Sequence, residues 1–312
     1  MLYLVVNQQR ASDADHNDKL KHIGHQQHPM PINFIKFHGL GNDYIVIESD
    51  QLAGISDLGD FAKRICNRHY GAGSDGIAIV GEPAQSEADF NVRIFNPDGS
   101  EANLSGNGTR CAVAYLYYQS LWNKDTLVLS TRSGLKRYSL LNREGGKFLF
   151  ESDLGVPGFT PASIPMDVDP SLSKVIGYPL QLGSETFSVT AVQVGNPVAC
   201  IFVNDFDELD WRRIGKALEY HSLFPERANI VFVRVDDRQR IELRIWERGV
   251  GETTASGSCS CGGALASMIN EKTDHEVRVV TEGGEVKVKW EAGNEVVITG
   301  TAELVYAGQW PE

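Results

Sequence analysis

Ile94-Phe95-Asn96-Pro97-Asp98-Gly99-Ser100-Glu101-Ala102-Asn103-Leu104-Ser105-Gly106 has a counterpart 151 residues later, Ile245-Trp246-Glu247-Arg248-Gly249-Val250-Gly251-Glu252-Thr253-Thr254-Ala255-Ser256-Gly257. Each stretch opens on apolar, strand-like residues and passes through a Gly-containing turn to an acidic residue. Each then reaches Ser-Gly and a run of small residues that reads as a helix start. Repetition at half the chain length predicts two similar domains facing each other. It also predicts one site between two equivalent helix N-termini, which carry unpaired N–H groups and partial positive charge.

Working outward, Asn33–His38, a turn at Gly39–Asp43 and Tyr44–Glu48 read as a hairpin-like start. Asp60–Asn67 has helical spacing, and Ser74-Asp75-Gly76 turns into a strand at Ile77–Val80. Asn91–Phe95 is a strand, Gly106–Leu121 a long apolar helix, and Thr126–Ser130, Leu135–Leu141 and Lys147–Glu151 are strands. The second half repeats the style. Strands are expected at Thr186–Val194, Asn229–Val235 and Ile241–Trp246, and helices at Trp211–His221 and Gly257–Asn270. Ribbons follow at Glu276–Val280, Glu285–Trp290 and Glu295–Thr299. The fold class expected is α+β, with two pseudo-symmetric domains, each a mostly antiparallel sheet or barrel around a central helix. Gly and Pro cluster between Ser152 and Pro161. The expected division is 31–151 and 152–300, with 301–312 returning as a strand to the first domain.

Bulk properties exclude several classes. The 312 residues carry a formal charge of -12 with 42% apolar residues, a balance of soluble globular chains and not of nucleic-acid binders. No apolar run is long enough to span a membrane, and Met1–Val6 is a poor signal peptide. Five cysteines, an odd number in a long chain, fit a reducing cytoplasm better than a disulfide framework. Residues 1–30 are polar and read as a disordered extension. His22, His25 and His28 recur every third residue there, but nearby ligands that would close a metal site are missing, and no metal is assigned.

Several motifs together resemble the diaminopimelate epimerase family. They are Phe37-His38-Gly39-Leu40-Gly41-Asn42-Asp43-Tyr44, Phe95-Asn96-Pro97-Asp98-Gly99-Ser100-Glu101, Gly106-Asn107-Gly108-Thr109-Arg110-Cys111, Gly195-Asn196-Pro197, Pro225-Glu226-Arg227-Ala228-Asn229 and Glu247-Arg248-Gly249-Val250-Gly251-Glu252-Thr253. They span nearly everything from Phe34 to Tyr306 in the family's order. The resemblance implies a cofactor-independent isomerase of lysine and cell-wall precursor synthesis, with a zwitterionic amino acid as its small-molecule partner, and it allows a homodimer. It places Asn42, Asn96, Asn196 and Asn229 at the substrate, Glu247 against an ammonium and Arg248 against the distal carboxylate. Gly106-Asn107 and Gly257-Ser258 would hold the α-carboxylate on backbone N–H groups. A single Asn beside Gly or Pro would read as a turn former, but four in matched motifs favour binding, and a solvated strand-end pair is the lesser reading of Glu247-Arg248. Glu101 and Glu252 read as structural turn acids.

The departures from the family lie at the chemistry. In the family, cysteines occupy the positions of Ser105 and Ser256. A thiol at a helix start is tuned toward neutrality, whereas a serine hydroxyl is far less acidic and a poor base unaided. Val198 follows Asn196-Pro197 where the family has His. Ser258-Cys259-Ser260-Cys261-Gly262-Gly263 replaces a Thr-Gly-Ala-Cys-Ala-Ala type of run, and the Gly pair adds backbone freedom where a helix should propagate. Three readings stay open. One is a Cys→Ser form that binds substrate and turns over slowly or not at all, down to an inactive amino-acid-binding paralogue. Another is a related racemase or lyase with a different substrate. The third moves the site to Cys259 or Cys261, although both more plainly pack as small apolar residues.

Overall fold

A computed structural model describes residues 31–83 and 85–311. The expectations for residues 1–30, His22, His25 and His28 included, lie outside the described residues. The first half comprises β1 (Ile32–Gly39), β2 (Asn42–Glu48), α1 (Leu58–Cys66), β3 (Gly76–Gly81), β4 (Phe90–Phe95), β5 (Glu101–Ala102), α2 (Gly106–Tyr118), β6 (Thr126–Thr131), β7 (Gly134–Glu144) and β8 (Lys147–Asp153). The second comprises β9 (Tyr178–Leu182), β10 (Glu185–Val194), β11 (Asn196–Val203), α3 (Trp211–Glu219), β12 (Asn229–Asp237), β13 (Arg240–Glu247), β14 (Gly251–Thr253), α4 (Gly257–Ile269), β15 (Glu276–Thr281), β16 (Gly284–Lys289) and β17 (Val297–Trp310). Apart from β9, the two halves match element for element.

Each half wraps a sheet around its long helix. In the first, β1-β2-β3-β4-β6-β7-β8 is closed into a barrel by β17, which pairs with both β8 and β1. In the second, β10-β11-β12-β13-β15-β16-β17 follows the same pattern of parallel and antiparallel neighbours. Its gap is bridged by the segment after β8. Leu154 N–H donates to Val296 O, and Gly158 and Gln193 exchange backbone bonds. The second half thus sends β17 across to close the first, and the first sends the segment after β8 across to close the second, which holds the halves in fixed relation.

Burial explains the helices. α2 is buried from Asn107 to Tyr117 and α4 from Cys259 to Met268, so both read as apolar all round. α1 and α3 are amphipathic and cover the barrels from outside, burying Phe61, Ala62, Ile65 and Cys66, and Trp211, Ile214 and Leu218. α2 stops at Tyr118, short of Leu121, because Ser120 turns left-handed at φ 59°. β11 was not expected. Its Asn-Pro opening reads as a turn, and its apolar run lacks alternation because it is covered on both faces. No helix among the described residues is long and apolar enough to cross a membrane.

The glycine pair proves to be a packing feature. α4 runs unbroken through Gly262 and Gly263. A Cβ at Gly262 would lie 2.6 Å from Val198 Cγ1, and one at Gly263 would lie 2.9 Å from Leu243 Cδ2. The two departures from the family, Val198 and Gly262, therefore fit each other. Gly262→Ala should lower the unfolding free energy by about 1 kcal/mol, because overpacking against a stiff β-branched side chain outweighs the helix-propensity gain. In a Val198→Ala background the loss should shrink without reversing, because the γ-methyl contacts are gone while the Cβ of residue 198 still lies 2.8 Å from the added methyl. Urea denaturation of the four chains checks this, and an equal loss in both backgrounds would contradict it.

Candidate active site

The repeated stretches form matching hairpins. β4 pairs with β5 through Ile94↔Ala102 and Phe95↔Glu101, and β13 with β14 through Ile245↔Thr253 and Trp246↔Glu252. Each leads into its buried helix, so Ser105 and Ser256 are the N-cap residues of α2 and α4. Both helix starts open onto one cavity of about 1100 Å³ between the halves. It is lined by Asn42, Asn96, Ser105, Gly106, Asn107, Asn196, Glu247, Arg248, Ser256, Gly257 and Ser258.

Asn229 is the expected site residue that does not reach the cavity. It is 3% exposed, and its Oδ1 accepts from Arg248 N–H at 2.9 Å. It opens β12, a central strand buried on both faces over its first five residues, and its side chain is taken up by the Arg248 backbone. Glu101 and Glu252 are each held by a guanidinium through two hydrogen bonds, from Arg93 and Arg212 respectively. Cys259 and Cys261 are fully buried, do not line the cavity, and have thiols pushed up by that burial. Cys111, just as buried, is pushed up to about 12. The reading that moved the site to Cys259 or Cys261 is thereby removed.

The two serines are not equivalent. Ser105 Oγ accepts from Gly108 N–H at 3.1 Å and lies 2.8 Å from Tyr44 Oη. Burial pushes the Tyr44 phenol up, so it stays protonated. Ser256 makes no side-chain cap bond, and its Oγ lies 3.4 Å from Ser258 Oγ. Burial pushes its half-buried neighbour Glu247 up from its ordinary value, against hydrogen bonds from Thr253 (2.8 Å) and Ser256. The pseudo-symmetric counterpart of Tyr44 is Val198, which follows from the parallel pairings Tyr44↔Gly76 and Val198↔Asn229.

Buried polar groups fix the lining residues. Arg110, 2% exposed, donates from Nη1 to Asn107 Oδ1 at 3.0 Å, and Asn107 Nδ2 donates to Asn42 Oδ1 at 3.2 Å. Asn42 Nδ2 donates to Asp75 Oδ2 at 2.9 Å. Arg68 then bridges Asp75 and Asp43, and Asp43 also meets Lys36 at 2.6 Å. On the other side Glu219 is 3% exposed. It accepts from Trp246 Nε1 and Gly249 N–H, anchoring the turn that carries Arg248. Arg248 Nη1 donates to Glu226 O at 2.9 Å and, among the described residues, faces no carboxylate. Tyr44, Arg110 and Glu219 were given no site role from the sequence. Glu219 in particular reads as a solvated acid in the last turn of an amphipathic helix.

Burial alone would raise Asp43, but hydrogen bonds from Arg68 and Lys36 outweigh it and hold its carboxyl at about 2, below its ordinary 3.8. A depressed folded-state value stabilises the fold above the unfolded value, and that stability is lost as pH falls through the folded one. About 2 kcal/mol should therefore disappear between pH 4 and 2. Asp43→Asn should flatten that limb in a series of denaturation midpoints. An unchanged slope would contradict this.

A second hollow of about 580 Å³ lies at the C-terminal end of α2, beside Phe34, Tyr115 and Gly308. Its one carboxylate, Glu48, already accepts from Tyr115 Oη at 2.6 Å. Among the described residues no group of three or more His, Cys, Asp or Glu side chains is placed to hold a metal ion.

The family model for diaminopimelate epimerase matches residues 34–158 and 190–305. Diaminopimelate epimerase of Aromatoleum aromaticum is 40% identical over 281 residues, covering 90% of this chain and 99% of its own. That of Pelotomaculum thermopropionicum is 38% identical over 281 residues with the same coverage. Among solved structures, a Bacillus anthracis phenazine biosynthesis protein of the PhzF family superposes with a TM-score of 0.64 at 19% identity, covering 90% of this chain and 99% of its own. A probable proline racemase from Agrobacterium radiobacter K84 gives 0.63 at 14%, covering 89% and 92%. These two share the fold. The model match over both halves and the relatives' identity along nearly their full length settle descent: the chain belongs to the diaminopimelate epimerase family of isomerases.

Proposed function

We propose that the cavity binds 2,6-diaminopimelate and interconverts its LL and meso forms by proton transfer across Ser105 and Ser256. The observation that carries this reading is the convergence of two uninterrupted helix starts, each capped by a serine, with Glu247 and Arg248 on one cavity. Inverting an α-carbon needs a base on one face and an acid on the other, and the transient carbanion needs electrostatic support. The helix starts supply it: the α-carboxylate sits on N–H groups at Gly106-Asn107 and Gly257-Ser258. Glu247 takes the neighbouring ammonium and Arg248 the distal carboxylate, with Asn42, Asn96 and Asn196 donating and accepting around them. Asn229 acts through Arg248.

The serines slow the proton steps without emptying the pocket. The test is α-proton exchange of LL-diaminopimelate in D₂O, followed by NMR. The expected result is slow exchange confined to the α-position, with meso product accumulating. Loss of water or exchange elsewhere would favour the lyase reading. Stabilisation by the ligand with no exchange would favour an amino-acid-binding protein, the reading the two serines themselves support.

A further inference from the structure

Lys136 lies on the cavity wall and belongs to none of the groups assigned above. Among the described residues its ammonium makes no ion pair, no hydrogen bond and no contact with an aromatic ring. Its height along the barrel follows from how β7 runs beside α2. Tyr138 Oη meets Thr109 Oγ1 at 2.6 Å in the first turn of α2, and Arg143 Nη1 meets Tyr117 O at 3.2 Å in its last. The strand and helix therefore run in the same direction. Lys136 precedes Tyr138 by two residues, about 6.6 Å of strand, which equals roughly four residues of helix. That places it level with Ser105, beyond the first N–H groups of α2. Lys136 and Tyr138 point to the same face of β7, and both line the cavity.

We infer that Lys136 is a substrate-binding cation that takes the reacting α-carboxylate at the start of α2, opposite the distal carboxylate held by Arg248. This rests on the diaminopimelate reading and names the charge on the first-half wall that the reading leaves unassigned. A helix start offers about half a positive charge. A lysine at the same height adds a full one, on the group that gains negative charge as the α-proton leaves. With Arg110 buried and donating to Asn107, the cleft then offers Lys136 from the first half and Arg248 from the second to a ligand with two carboxylates.

The test is calorimetric titration of LL-diaminopimelate into the chain and into Lys136→Met, Lys136→Arg, Arg248→Met and Lys136→Met/Arg248→Met. Lys136→Met should weaken binding about tenfold, and Lys136→Arg should stay within about threefold of the parent. The double variant should lose the product of the two single losses, as expected of cations holding different carboxylates. Unchanged affinity in Lys136→Met would make Lys136 a solvated charge and overturn the proposal. A double variant no weaker than Arg248→Met would overturn it too, by placing both cations on one carboxylate. A parent chain that binds no diaminopimelate sinks the substrate reading and this proposal together. Binding by the parent with an unaffected Lys136→Met sinks the proposal alone.

Discussion

Ser105→Cys/Ser256→Cys should convert LL- to meso-diaminopimelate about 10³-fold faster than the parent chain, the scale of one well-tuned acid–base system. Both positions cap long buried helices and face one cavity, so a thiol there meets the helix-start field that a hydroxyl cannot exploit. That field draws a thiol down from about 8.5 toward neutrality, whereas a serine hydroxyl stays far less acidic and is a slow base. Each single replacement should recover far less than the double, since one face would still lack its proton carrier. The surroundings also predict an order. Ser105 is engaged by Gly108 N–H and Tyr44 Oη, whereas Ser256 is uncapped and beside a raised carboxyl. Ser256→Cys should therefore be the better single variant. The rate of meso formation measures all of this, and a double variant within threefold of the parent would refute it.

The second large effect is at Arg248. Arg248→Met should weaken diaminopimelate binding by about 50-fold, corresponding to about 2–3 kcal/mol for removing a charged partner from a half-buried contact. Its guanidinium faces no carboxylate among the described residues and is held only by Glu226 O. Its backbone is fixed independently by Asn229, so the fold should survive the change. Melting temperature should move little while affinity falls, and the loss should vanish for an analogue lacking the distal carboxylate. Equal losses for both ligands would place Arg248 elsewhere in recognition.

Much of this was legible because the fold repeats itself. The spacing of Ile94–Gly106 and Ile245–Gly257 gave the two helix starts, their hairpins and the single cleft between them. What escaped was set by contacts across the repeat. β11 carries no alternation because both its faces are covered. The meaning of Gly262 depends on Val198, 64 residues away in sequence, so alone it looked like freedom where it is close packing. Asn229 sits in a matched motif, yet its side chain is taken up by the Arg248 backbone. Glu219 and Arg110 are charged residues whose burial no local pattern announces. Lys136 falls in a stretch read only as a strand, Leu135–Leu141, and only the course of β7 beside α2 lifts it to the height of Ser105.

On the function proposed above, one cavity between the two halves holds an amino acid with a charged head at each end. Titration of LL-diaminopimelate and of L-lysine into the unaltered chain reads this out, because binding does not depend on the serines. The expected result is saturable one-to-one binding of diaminopimelate, at least tenfold tighter than L-lysine, which lacks the second carboxylate. Equal affinity for the two, or no binding of diaminopimelate, would contradict it.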